Sequence, residues 1–316
     1  MENIEFVHKS VLYNECLDSL CIKPDGIYVD GTAGGAGHSS GIAARLVSGK
    51  LYAFDRDSDA VKIAGERLSR FGDRAEVIHS NYFDIKKQLS ERGVTGIDGL
   101  LLDLGVSSYQ LDCAERGFSY MADAPLDMRM DRRDKTSAYE VVNFYPEAEL
   151  KRILYEYGEE RYAPSIVAAI AKARSVTPIK TTLELSDIIK SGMPASAKSG
   201  AHHPAKRSFQ AIRIEVNGEL DIIASTIRDA VSIMNNGGIV AIITFHSLED
   251  RIVKQTFAEM AKGCTCPKDF PVCVCGKKPL LEVVSKKPIL PSNEELEENP
   301  RSRSAKLRVA RRVNAN

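Results

Sequence analysis

The sequence predicts an α/β fold in which a doubly wound sheet of parallel strands is interrupted by an inserted helical domain. Three observations carry that reading. Short apolar runs alternate with helical segments through the first third of the chain, the rhythm of strand–helix–strand units. The alternation stops after Asp103 and resumes beyond Asn217. The runs themselves, such as Gly99-Leu100-Leu101-Leu102-Asp103, are continuously apolar, as strands covered on both faces are.

Taken in order, Ile27-Tyr28-Val29-Asp30 reads as the first strand, ending in an acid before a glycine-rich turn, and 39–47 as a helix. Leu51-Tyr52-Ala53-Phe54-Asp55 is a second strand that also ends in an acid. Residues 57–71 follow with Ala60, Val61, Ala64 and Leu68 at helical spacing. Strands are expected at 75–79 and 99–103. From about 113 to 216 helix-like segments dominate, clearest at 148–157, 164–175 and 183–191. A helix over 219–234, stopped by Asn235-Asn236-Gly237-Gly238, leads into a fifth buried strand over 239–245 and a helix over 248–261. Two further strands are expected near 281–284 and 306–310, with a polar, acidic loop over 291–299 between them. The sheet domain then comprises 1–112 and 217–316, and the helical insertion 113–216. No internal repeat is visible.

With 316 residues the chain has room for a large domain and a substantial insertion. Its 43% hydrophobic and 27% charged residues exclude disordered and fibrous classes. Lys+Arg and Asp+Glu are both 43, so a polyanion could be held only through local basic patches. Residues 1–13 are charged and lack the apolar run of a signal peptide, and no stretch reaches the roughly 18 apolar residues of a membrane span. A cytoplasmic protein with no membrane partner is expected. The seven cysteines fit that compartment as thiols or metal ligands better than as disulfides.

The strongest local signal is Asp30-Gly31-Thr32-Ala33-Gly34-Gly35-Ala36-Gly37-His38 after the first strand. Small residues allow a sharp turn and close approach to a ligand, and the next helix offers its N-terminal N–H groups. A tight turn without a ligand fits the same residues. A dinucleotide loop wants Gly-x-Gly-x-x-Gly, but Gly35-Ala36-Gly37 is followed by His38, Ser39 and Ser40. No Gly-Lys-Ser/Thr follows either, which excludes a P-loop. A strand-end acid leading into small residues suits S-adenosylmethionine better. Asp55, ending the second strand, can accept hydrogen bonds from both ribose hydroxyls of an adenosine; alone it equally suits a helix N-cap or a solvated loop. NAD carries the same ribose, so Asp55 does not separate the two cofactors.

Asp103 ends the fourth strand, where ligands of open α/β sheets sit. An exocyclic base amine is a poor nucleophile, and an acceptor that holds its N–H bonds as nitrogen becomes tetrahedral lowers the barrier. Asp103 could do this, or could cap the next segment. Phe245 and His246 follow the fifth strand at the same edge, where a base could stack or hydrogen-bond; Ser247 with Asp250 could instead form a helix cap. Asp127, Arg129 and Asp131 alternate with Met128 and Met130, as on a strand edge or a surface segment. Two stretches lack acids: one carries Lys198, His202, His203, Lys206, Arg207 and Arg213, the other Arg301, Arg303, Lys306, Arg308, Arg311 and Arg312. Both suit phosphate contacts as well as ordinary solvated charge. Cys264-Thr265-Cys266 and Cys273-Val274-Cys275 form two Cys-x-Cys pairs. Four thiolates can hold a structural zinc, although the usual spacing within a pair is wider, and reduced or redox-active thiols fit too.

These residues carry a family resemblance. Asp30-Gly31-Thr32 with Gly37-His38-Ser39, Leu101-Leu102-Asp103-Leu104-Gly105-Val106-Ser107-Ser108, and Pro125-Leu126-Asp127-Met128-Arg129-Met130-Asp131 belong to it. So do Gly158-Glu159-Glu160-Arg161, Phe209-Gln210-Ala211-Ile212-Arg213, Thr244-Phe245-His246-Ser247-Leu248-Glu249-Asp250-Arg251 and Asn299-Pro300-Arg301-Ser302-Arg303-Ser304. In order and over nearly the whole chain they resemble the bacterial ribosomal RNA small-subunit methyltransferase H (MraW) family. The resemblance implies a Rossmann-like S-adenosylmethionine-dependent methyltransferase sheet with an inserted helical substrate-recognition domain. It implies N4-methylation of a cytosine in the decoding region of small-subunit ribosomal RNA, by direct in-line transfer. Carried over by motif, the donor site comprises Gly35, Ala36, Gly37 and His38, then Asp55, Tyr82, Asp103 and Gln110. Tyr82 stands where a Phe is common and keeps the ring for stacking adenine. The family lacks the Pro-Pro-aromatic signature of other amino-methyltransferases, and so does this chain; Asp103, Ser107, Ser108 and His246 are the candidates for the catalytic contact. The partners expected are ribosomal RNA or the small ribosomal subunit, and a second copy of the chain. The rival readings are a nicotinamide-dependent oxidoreductase and a non-catalytic RNA-binding module of ribosome assembly.

Overall fold

The computed structural model describes residues 10–198, 203–264, 266, 272 and 274–314. They divide into two units: one runs to Gly105 and resumes at Leu220, and the other is Val106–Glu219. The expected boundary near 112 moves back to 105 because Val106 and Leu111 pack on the core of the second unit. At the other end Asn217 donates to the Met128 carbonyl and accepts from the Met130 amide, and Glu219 pairs with Arg213, which draws 217–219 into the insertion.

The first unit is built on a seven-stranded sheet. Its strands are β1 (Ile27–Asp30), β2 (Lys50–Asp55), β3 (Ala75–His79), β4 (Ile97–Asp103), β5 (Met234–Thr244), β6 (Leu281–Val283) and β7 (Lys306–Arg312). The order is β3-β2-β1-β4-β5-β7-β6. Strands β3 to β5 pair in parallel, and β7 runs antiparallel between β5 and β6. The period-two alternation of a strand sends successive residues to opposite faces. Tyr28, Leu101, Ala241 and Ile243 join one core, packed with the helices Tyr13–Ser19, Gly37–Arg45 and Ser58–Leu68. Val29, Leu100, Leu102, Val240 and Ile242 join the other, under the helices Ile85–Glu91, Ile223–Ser232 and Ser247–Ala261. Burying each such Leu or Ile contributes about 1.5–3 kcal/mol, which is why the polar residues of these strands lie towards their ends.

Register fixes the shape of the sheet edge. Asp30, the last residue of β1, pairs with Ala53 on one side and Leu101 on the other. Both neighbours run two residues further, to Asp55 and Asp103. The sheet therefore has a notch at its switch point, and the glycine-rich loop threads it. Gly31 donates to the Leu101 carbonyl on one flank, and Ala33 to the Phe54 carbonyl on the other.

Two segments depart from expectation. Asn235-Asn236-Gly237-Gly238 lies within β5. The preceding helix ends at Ser232, and Gly237 (φ 83°) adapts the strand start, where the register with β4 shifts. The acidic stretch near 291–299 forms the helix Asn293–Glu298, capped by Ser292. Its first-turn acids favour the helix dipole, and Glu295 Oε1 accepts the Leu12 amide at 2.8 Å.

The second unit is helical. Ala138–Phe144, Glu147–Glu156, Ala163–Arg174, Thr182–Ser191 and Lys206–Asn217 surround a core that includes Val141, Ile153, Ile166, Leu185 and Ile212. Capping boxes Ser137/Glu140 and Thr181/Glu184 fix two of the helix starts. Met128 and Met130 are buried in this core, while Asp127 holds Arg129 through two hydrogen bonds and Asp131 holds Arg133. The alternation of residues 127–131 is therefore core against self-paired charge, outside any strand.

Candidate active site

The carboxyl ends of β1, β2 and β4 bring three acids to one rim, and their surroundings give them different roles. Asp30 is buried and both its carboxylate oxygens are held within the fold: Oδ1 accepts from the Thr32 amide and Oδ2 from the Ser39 hydroxyl at 2.6 Å. It ties the loop to the helix Gly37–Arg45. Burial raises its pKa, and the hydrogen bonds from Ser39 and Thr32 oppose that.

Asp55 accepts the Gly34 amide on Oδ2 at 2.8 Å and the Asp57 amide on Oδ1 at 2.9 Å. A carboxylate offers about four lone-pair positions, so acceptor capacity remains. The helix N-cap is Asp57, whose side chain accepts from Asp59; that removes the cap reading of Asp55. Burial pushes Asp55 up to about 6, against the two amides that favour its ionised form.

Asp103 is the least satisfied. Its Oδ1 is buried without a hydrogen-bond partner, and burial followed by the charges of Asp30 and Glu249 pushes the group up to about 8. Its backbone amide donates to Thr32 Oγ1 at 2.6 Å. His38, buried in the first turn of its helix, lies with Nδ1 3.8 Å from Asp103 Oδ2 while Nε2 meets the Val11 carbonyl at 3.0 Å. A carbonyl can only accept, so Nε2 carries the proton, and in the neutral ring Nδ1 presents a lone pair to Asp103. His38 in that form supplies no donor to the carboxyl.

The loop geometry explains why its residues are small. A Cβ on Gly31 would strike the Leu102 side chain, and one on Gly37 the Ser10 hydroxyl, so those two glycines serve packing. Gly34 (φ 48°) and Ala36 (φ 58°) make the left-handed turn that starts the helix, and Gly35 gives its carbonyl to Arg67 at 2.6 Å. Tyr82 opens the turn Tyr82–Asp84 after β3 and packs partly against the core beneath it.

Beyond β5 the helix cap differs from the Ser247/Asp250 reading. His246 is the N-cap, and Glu249, itself buried, reaches back so that Oε2 accepts the amides of Phe245 and His246. Asp250 instead holds Arg308. His246 Nε2 lies 3.0 Å from Glu249 Oε1 but is not aligned on it, and neither ring nitrogen has a hydrogen bond. The sheet edge thus carries two side chains with buried, unsatisfied polar atoms, Asp103 and His246, at the ends of neighbouring strands.

Ser107, Ser108 and Gln110 fall in the second unit. Ser107 and Gln110 form a capping box on the helix Ser108–Asp112. Acids from elsewhere in the fold neutralise part of the two acid-free stretches. Arg213 pairs with Glu219, Lys306 and Arg308 with Asp250, and Arg311 with Glu282. Arg312 is buried and bonds the Leu280 carbonyl. Arg301 and Arg303 remain exposed. His203 stacks on Tyr120; His202, Cys273 and the Lys198 side chain lie outside the described residues. Three residues were missed from sequence: Thr32, Glu249 and Arg67. The first sits in the Asp30-Gly31-Thr32 motif, where a hydroxyl after a turn glycine was a usable signal.

A parallel sheet with a notch at its switch point, a reversed last strand and a rim of three strand-end carboxyls defines a Rossmann-like methyltransferase. Its strand order departs from the dinucleotide-binding sheet, whose second half runs 4-5-6 without an antiparallel insertion. The MraW methylase family model matches residues 5–313. Ribosomal RNA small subunit methyltransferase H of Clostridioides difficile (strain 630) is 56% identical over 311 residues, covering 98% of this chain and 100% of the relative. The protein of the same name from Lachnospira eligens is 54% identical over 311 residues, 98% of this chain and 99% of its own. Among solved structures, an rRNA methylase from Streptococcus thermophilus aligns with 97% of this chain and 98% of its own at TM-score 0.44 and 11% identity. The chain belongs to the MraW methylase family and is an S-adenosylmethionine-dependent methyltransferase. Among the described residues no helix is long and apolar enough to cross a membrane.

Proposed function

We propose that the protein methylates N4 of a cytosine in the decoding region of small-subunit ribosomal RNA, by direct in-line transfer. The observation that carries the reading is the Asp103 carboxyl ending β4, whose Oδ1 is buried and unpartnered. His246, just past the end of the neighbouring strand β5, adds an imidazole whose Nε2 lies 3.0 Å from Glu249 Oε1. The names of the relatives, small-subunit ribosomal RNA methyltransferases, support the substrate.

The rim fits the donor. Asp55 keeps acceptor capacity for ribose hydroxyls, the 34–38 loop lines the notch, and Tyr82 offers a ring for adenine. S-adenosylmethionine supplies a methyl group on a cationic sulfur. Asp103 ionises when positive charge is set beside it, because its raised pKa reflects burial and two acidic neighbours. Its oxygen then accepts an N–H of the amine and holds the nitrogen lone pair in line. S-adenosylmethionine held there would supply the methyl group, its sulfur leaving with the bonding pair, and Asp103 would take the surplus amine proton. His246 is assigned to the base, with Ser107 and Ser108 as the other candidate contacts.

Mass mapping of small-subunit ribosomal RNA, from cells with and without the protein, tests this. The expected result is one cytosine that loses a methyl from N4 and regains it on incubation with purified protein and donor. A methyl at C5 or on a ribose would overturn the assignment.

A further inference from the structure

We propose that Cys264, Cys266 and Cys275 hold a structural zinc ion that organises the segment between the helix Ser247–Ala261 and β6. The three Sγ atoms lie within 4.8 Å of one another, and those of Cys264 and Cys275 are 3.7 Å apart. Tetrahedral zinc with Zn–S bonds of about 2.3 Å sets its sulfurs about 3.8 Å apart, whereas a disulfide would draw them to about 2.05 Å. The Cys266 amide points at Cys264 Sγ at 3.4 Å, the N–H···S arrangement that steadies a thiolate ligand. Gly276, immediately after Cys275, takes φ 61°, turning the chain back at that ligand.

Charge and packing agree. Between 262 and 280 the sequence has Lys262, Lys268, Lys277 and Lys278 against the single acid Asp269. Such an excess offsets the negative charge of a zinc–thiolate centre. The base of the segment is pinned: Leu280 donates to the Met260 carbonyl, and Asn314 to that of Pro279. Above it, among the described residues from 262 to 280, no side chain is buried, and Val272 and Val274 are 69% and 73% exposed. Where exposed residues have no apolar core to hold them, a metal staple can replace apolar burial. Cys273, the remaining member of the two Cys-x-Cys pairs, lies outside the described residues.

The ion is structural by position. The helix Ser247–Ala261 has 15 residues and spans about 22 Å away from the rim that carries Asp103. The cluster follows its far end, at the edge where β6 begins.

The test uses the untagged full chain, purified under reducing conditions from zinc-supplemented medium. Elemental analysis should find about one zinc per chain, and X-ray absorption should find three or four sulfurs around it, Cys273→Ser deciding between those counts. Cys264→Ser and Cys275→Ser should each hold less than about a tenth of an equivalent, while Cys21→Ser and Cys113→Ser keep the full amount. Should the cluster variants fail to fold, cobalt added to chelator-treated wild type gives the second reading: a sulfur-to-cobalt charge-transfer band saturating at one equivalent. Wild type without zinc and without that band, or a Cys264–Cys275 disulfide in the fresh protein, overturns the proposal.

Discussion

The main-chain amide of Asp103 donates to the Thr32 hydroxyl at 2.6 Å, joining two strand ends 71 residues apart. The same side chain leans on Asp30 through Oγ1 at 3.5 Å. The position of the proposed catalytic carboxyl is therefore set by the loop across the notch as well as by its own strand. Thr32→Val removes the acceptor and strands the amide, which should cost about 1–3 kcal/mol of stability. Thr32→Ser should restore most of it. Urea unfolding of the three proteins checks this; a loss in the Ser variant that the Val variant does not share would point to the methyl group instead.

Asp103→Ala should lower the single-turnover methylation rate on the order of 10²–10³-fold at saturating donor, because its hydrogen bond strengthens as the amine gains positive charge. Asp103→Asn keeps an acceptor oxygen and should lose less. Rates must be taken with cofactor affinity measured in the same variants. A saturated rate within a factor of a few of wild type would leave Asp103 a donor-binding group only.

The raised pKa of Asp103 makes two pH predictions of known sign. Its value of about 8 lies above the ordinary 3.8, so between those limits the folded chain holds a proton that the unfolded chain has lost. Its contribution to stability therefore falls as pH rises through that window and levels off above about 8. Asp103→Asn should gain on wild type over the same range, read as melting temperature against pH. Wild type should bind the cationic donor more tightly as pH rises towards 8, relative to neutral S-adenosylhomocysteine, whose amino group titrates alike. Calorimetry in which the two ligands keep a constant ratio would remove Asp103 from the neighbourhood of the sulfonium.

Asp55→Ala should weaken donor binding by about 1.5–3 kcal/mol, the worth of hydrogen bonds to a charged group. It should also loosen the fold, since the Gly34 and Asp57 amides lose their acceptor. Titration of a folded variant separates the effects; unchanged affinity would assign Asp55 to the loop alone.

Arg308→Ala should destabilise the protein by about 3 kcal/mol by leaving Asp250 with one weaker partner, the two side chains being 10% and 14% exposed. RNA affinity and its salt dependence should not change. Arg303→Ala, exposed on the turn before β7, should flatten the salt dependence by about one phosphate contact. A filter-binding salt series on both variants decides it, and a reversed pattern would return the strand to the RNA surface.

That contrast shows how far the sequence could be read. Strand β1 falls where an apolar run ends in Asp30, because its faces are covered and local composition suffices. The rim acids were legible for the same reason: a polar residue closing a buried run has few places to go. Partners brought from distant sequence were not legible. The run from Arg301 to Arg312 looked like an open basic patch until Asp250 and Glu282 arrived from other elements. Asn235-Asn236-Gly237-Gly238 reads as a helix stop in isolation, yet pairing with β4 makes it the start of a strand. Glu249 was hidden because its role is to face its own helix start, a position that Ser247 and Asp250 fit equally well on sequence alone.

The place of β7 also orders events in time. It is made last among the strands but lies between β5 and β6, so until it arrives β5 shows an unsatisfied edge and β6 has no neighbour. A chain still being synthesised can close β1 to β5 into a half-sheet, with a ligand notch already formed, yet remains exposed to edge-to-edge association. Completion waits for residues 306–312, and an interrupted chain is marked by that open edge as unfinished.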